Sequence, residues 1–148
     1  MKIVLALAAL TFAGSVLAAE PLEIPGANSA YYMLKSHTDR IRASSDVDLT
    51  VAPVGTGRAM LDLIEGRAKV AVVTVPFMDA VASARVLAWS EEHRLLVVPR
   101  QIAYYDVPTP DSNGRPLAFV TMGDPSPELS RVIRYLSDRG NNRTALNQ

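Results

Sequence analysis

The sequence predicts an α/β domain, a three-layer sandwich with a largely parallel sheet. Three observations carry that prediction. Apolar runs with the two-residue period of strands alternate along the chain with stripes of helical period. Turn signals separate them at short intervals, as connections in a compact domain require. The longest uninterrupted apolar run lies at the amino terminus, outside the alternation.

That run sets the domain boundary. Lys2 supplies a positive charge, residues 3–13 an apolar stretch, Gly14-Ser15 a break, and Val16-Leu17-Ala18 the residue types of a cleavage site. This is the pattern of a secretory signal peptide, too short to anchor in a bilayer. Residues 1–18 are therefore read as a signal and residues 19–148 as one periplasmic or secreted domain. No cysteine follows the run to carry a lipid, and no later stretch is long and apolar enough to span a membrane.

Along the rest of the chain, residues 22–24 read as a short strand ended by Pro25-Gly26. A helix follows from Asn28 or Ser29, with Ala30, Leu34, His37 and Ile41 on one face and Ser44-Ser45-Asp46 closing it. Val47, Leu49 and Val51 alternate with polar residues, the mark of a half-buried strand running to about Val54. Gly55-Thr56-Gly57 opens a second helix whose inner stripe is Met60, Leu63 and Ile64, with Gly66 suited to its end. Residues 70–75 are continuously apolar, as in a strand covered on both faces.

Met78, Val81, Ala82, Val86 and Trp89 form a third inward stripe, and Glu91-Glu92 reads as its solvated end. Residues 95–98 predict another strand, bent at Pro99 and continued by residues 102–107, where Tyr104-Tyr105 suit edge-strand packing. Residues 108–116 are rich in turn formers, and Asn113-Gly114 is a hairpin signal leading to a strand over 117–121. Ser126-Pro127 starts the last helix, with Leu129, Val132, Ile133 and Leu136 inward and Gly140 as its stop.

Composition removes several function classes. Fifteen basic against 15 acidic residues give no net charge, which takes away the electrostatic case for nucleic acid. The absence of cysteine excludes disulfides, thiolate catalysis, iron–sulfur clusters and cysteine zinc sites. His37 and His93 follow no metal-ligand spacing, and no metal or cofactor is expected. No Ser/His/Asp order or paired-carboxylate site can be assembled, so the chain is read as a binding protein and not an enzyme.

In open parallel sheets, ligands bind beyond the carboxyl ends of the strands, where helix amino termini offer free N–H groups to anions. Three such junctions are rich in glycine and hydroxyls: Gly26-Ala27-Asn28-Ser29, Gly55-Thr56-Gly57-Arg58 and Val73-Thr74-Val75-Pro76. The plainer reading is that these hydroxyls cap their own helices. Arg58 is open to two readings as well, a contact for an anion or a solvated surface arginine.

Ile24-Pro25-Gly26-Ala27-Asn28-Ser29, Ala52-Pro53-Val54-Gly55-Thr56-Gly57 and Ala71-Val72-Val73-Thr74-Val75-Pro76-Phe77 resemble the amino-terminal lobe of type 2 periplasmic binding proteins. The likeness is to the phosphate-binding group that serves ABC transporters. Arg115-Pro116-Leu117-Ala118-Phe119-Val120-Thr121 resembles the same family's return strand, and Pro125-Ser126-Pro127-Glu128 onward the helix after it. The resemblance implies one lobe of such a fold, with Ser29, Thr56, Gly57 and Thr74 as ligand contacts. The family's second lobe, which normally supplies an arginine, has no room between Trp89 and Val120. What is implied is a half-cleft that binds a small oxyanion of the phosphate or sulfate type weakly, in association with an ABC transporter.

The alternative is an interaction or structural module derived from such a lobe, docking a partner protein or forming a homodimer through the open cleft face. The family's discrimination of phosphate from sulfate uses a carboxylate near the third strand end. Here that segment reads Thr74-Val75-Pro76, and the nearest acid, Asp79, falls a turn into the next helix.

Overall fold

The computed structural model describes residues 20–108 and 115–146, with side chains as far as Arg139. The predicted signal and its cleavage site lie outside the described residues, as does the Asn113-Gly114 turn.

Three strands, β1 (Leu22–Gly26), β2 (Leu49–Pro53) and β3 (Val70–Val73), lie parallel in the order β2-β1-β3. β5 (Leu117–Met122) pairs antiparallel with β3, and β4 (Ile102–Val107) pairs antiparallel with β5 at the far edge. The sheet is therefore α/β and mixed, not largely parallel. The chain passes β3, forms the edge strand first and then returns between the two, so β5 runs against its neighbours on both sides. That return is the antiparallel pairing the turn-rich stretch predicts.

Alternation along β3 and β5 divides the core in two. Val70, Val72, Leu117 and Phe119 face a cluster built with α1 (Asn28–Lys35), α2 (Thr38–Ser45) and α5 (Pro127–Leu146). Ala71, Val73, Ala118 and Val120 face a second cluster under α3 (Thr56–Ile64) and α4 (Phe77–Glu92). All four residues of β3 are buried, as a strand with helices on both faces must be. The inner stripes expected of α3 and α5 are in place: Met60, Leu63, Leu129, Val132 and Leu136 are buried.

Four expectations are corrected. The first helix is two, α1 and α2, broken at Ser36-His37. There the Ser36 hydroxyl donates to the Met33 carbonyl and the Thr38 hydroxyl to those of Leu34 and Lys35, local bonds that compete with the helical ladder. Residues 95–98 form no strand. Gly140 does not end α5, whose backbone continues to Leu146.

The fourth correction concerns α4. Of its predicted inward stripe only Val81 is buried; the inner face is Ala80, Val81, Ala84 and Ala88. Small side chains let α4 lie close on α3. A Cβ built on Gly57 would come within 3.0 Å of the Ser83 carbonyl oxygen, so larger residues are turned outward.

Candidate functional site

The site is assembled by close backbone approach at the carboxyl ends of β1, β2 and β3. At Gly26 a Cβ would lie 2.3 Å from Val72 Cγ1 and 3.0 Å from the Val72 oxygen, so only glycine lets β1 turn there. The Ala27 N–H donates to the Val72 carbonyl at 3.0 Å, and the Gly55 N–H to the Gly26 carbonyl at 3.0 Å. These bonds bring the starts of α1 and α3 to the same end of the sheet.

An open cleft of about 450 Å³ results, lined by Ala27, Asn28, Ser29, Gly55, Thr56, Thr74, Val75 and Arg115. Three of the four predicted contacts, Ser29, Thr56 and Thr74, thus share one cavity although they come from separate motifs. Gly57 does not line it; it faces Ser83 in the α3–α4 packing.

The hydroxyls are not helix caps. The N-cap residues of α1 and α3 are Ala27 and Gly55, and neither helix has a side-chain cap bond. First-turn N–H groups have no intrahelical acceptor, so both termini present donors and the positive end of a dipole. Ser29 Oγ instead meets Thr74 Oγ1 at 2.5 Å. Thr74 is only 8% exposed, and Ser29 is half-buried. Each hydroxyl has one proton, so the bond between them consumes one and leaves the other for an acceptor.

Among the described residues no carboxylate lines this cleft, and Asp79 sits exposed in the first turn of α4. Arg58 is also outside it. Its guanidinium is ion-paired with Glu91 and lies 4.0 Å from Asp62, tying α3 to α4. Glu91 and Glu92 are correspondingly not a bare solvated end, since Glu92 pairs with Arg94, which also meets Glu65.

Arg115 is the cleft residue that sequence reasoning missed. The signal was topological. In antiparallel register Val73 faces Ala118, so a return strand begins where β3 ends and its first residues belong to the cleft end of the sheet. Tyr104 supports the same end from the edge strand. Its hydroxyl donates to the Val75 carbonyl at 3.4 Å, and its ring meets Phe77 edge-on at 5.7 Å. Burial, with help from Asp106, pushes its phenol above the usual tyrosine range. The Tyr104-Tyr105 pair is thus packed, with Tyr105 against the opposite core.

Among the described residues no helix is long and apolar enough to cross a membrane, and no group of acidic or histidine side chains could hold a metal. No protein-family model matches the chain, and no curated protein or solved structure matches it.

Proposed function

We propose that this protein is an exported, solute-binding-like module whose half-cleft takes a small oxyanion of the phosphate or sulfate type, serving an ABC transporter. The observation that carries the reading is the meeting of Ser29, Thr56 and Thr74 in one cleft with two helix termini that lack side-chain caps. N–H and O–H donors would hold the anion's oxygens, and Arg115 on the rim would supply the positive charge that the family's second lobe brings elsewhere. Among the described residues that line it there is no carboxylate, and so none of them requires a protonated ligand or repels a fully ionised one. The ion keeps part of its hydration in an open cleft, so binding is weak, at about 4 kcal/mol or millimolar affinity.

Thermal unfolding of the processed chain tests this. A ligand that binds only the folded state must raise the midpoint. Phosphate and sulfate should each raise it at matched ionic strength while chloride does not; equal midpoints in all three salts would refute the reading.

A second reading, a protein-interaction module, is favoured by one observation only: the apolar outer face of α4.

A further inference from the structure

α4 carries two apolar faces, and the domain covers one of them. Met78, Ala82, Val86 and Trp89 recur at helical spacing, the pattern of a core face, yet all four are exposed, Met78 at 65%, Val86 at 68% and Trp89 at 59%. The chain then leaves α4 and runs through residues 94–99 in neither helix nor strand. Among the described residues no backbone hydrogen bond holds that stretch. Leu95 and Val97 stand out at 83% and 81% exposure while Leu96 between them is buried, the alternation of a strand without a neighbour. Trp89 and Leu95–Val97 line a common groove of about 470 Å³.

We propose that this face is a homodimer interface, its occupant a second copy of the chain related by a two-fold axis. Taking standard residue areas, the five large side chains expose roughly 700 Å² per protomer, just above the ~300–600 Å² of a typical monomer's largest patch. Doubled across a two-fold, that is about 1,400 Å², within the range of stable, specific interfaces. Both parts of the face are self-complementary. A helix stripe with alanine at its centre packs on its own symmetry mate, and an unpaired segment pairs antiparallel with itself, as an isologous contact requires.

Two arginines line the groove: Arg94 is ion-paired with Glu65 and Glu92 of its own chain, and Arg85 is exposed and makes no ion pair among the described residues. A chain without net charge is not held apart from its copies by repulsion. None of the face's side chains lines the oxyanion cleft, so this proposal stands or falls separately from the binding reading.

Trp89 is the chain's only tryptophan, so its emission reports on this face alone. Light scattering on the processed chain should give twice the monomer mass at micromolar concentration, with blue-shifted emission that moves to the red on dilution. Trp89→Glu and, on the unpaired segment, Leu95→Glu should each halve the mass while the far-ultraviolet circular dichroism stays unchanged. Tyr32→Glu, an exposed position on α1, should leave the dimer intact. A wild-type chain that is monomeric at every concentration would overturn the proposal, including the case in which a membrane or another protein covers the face. A dimer that survives in both folded patch variants would overturn it equally.

Discussion

The hydroxyl oxygens of Ser29 and Thr74 lie 2.5 Å apart, joining the first turn of α1 to the carboxyl end of β3 across 45 residues of sequence. A capping serine would turn toward its own backbone; this one turns toward a buried threonine. The pair lines the cleft, and one of its two hydroxyl protons is left to donate outward.

Thr74→Val keeps the side chain's shape and removes its hydroxyl. Ser29 then loses its partner in a half-buried position, and the domain should lose about 1 kcal/mol of stability. Urea unfolding should show a lower midpoint with an unchanged slope. The same variant should lose the oxyanion-induced rise in thermal midpoint.

Two glycines at the cleft differ in why they are glycine. Gly26→Ala places a methyl 2.3 Å from Val72 Cγ1 and 2.9 Å from Val51 Cγ1, inside a stiff β-branched core. Overpacking of this kind costs about 1–3 kcal/mol and should also displace Ala27 and α1. At Gly55 nothing lies within 4 Å, but φ is +89° with ψ 154°, a region essentially confined to glycine, so Gly55→Ala pays for backbone strain alone, about 1–3 kcal/mol. Comparing amide exchange in the two variants checks this: protection in β1 and β3 should fall in Gly26→Ala and persist in Gly55→Ala.

The architecture was legible wherever periodicity had one interpretation. The apolar run Val70–Val73 reads as a strand between two layers, and Ser126-Pro127 as the start of a helix. Ser126 does cap α5, accepting the Leu129 N–H at 3.2 Å. Periodicity failed at α4 because two stripes share the helical period, and the bulkier one looks like the core. What decided the matter was the close approach of α3 at Gly57, a tertiary fact with no local trace. Residues 95–98 have a strand's alternation, but pairing depends on a neighbour that the domain does not provide. The cleft hydroxyls were visible through their motifs; Arg115 was hidden because it follows from strand order, which a single sequence does not print.

Arg115 and Arg58 offer a contrast between a cation at the cleft with no ion pair among the described residues and a paired one elsewhere. Arg115→Ala should weaken oxyanion binding a few-fold, with the difference shrinking as salt rises, because the contact is exposed. Arg58→Ala should leave binding unchanged, since its guanidinium is committed to Glu91 and Asp62. Titrations of both variants at low and high ionic strength check the pair.

The start of α5 carries an acid-sensitive element. The Glu128 carboxylate is held below its usual range by its own backbone N–H, then by the Ser126 hydroxyl and by the charge of Arg131. A depressed folded-state value means that the stabilisation is complete above the carboxylate's unfolded value and is lost as pH falls through the folded one. Glu128→Gln should therefore be less stable than the parent near neutrality, and the two should converge in acid. Thermal midpoints across that range would show the convergence; a gap that widened in acid would contradict it.

The central claim is that the cleft's donors, with no carboxylate among the described lining residues, make a weak oxyanion site that does not choose between phosphate and sulfate. Titration calorimetry of the processed chain with each ion measures this most directly. The expected result is millimolar affinity for both, within a few-fold of each other, abolished in Thr56→Ala and Thr74→Ala. Tight binding of phosphate alone, or binding of neither ion, would contradict it.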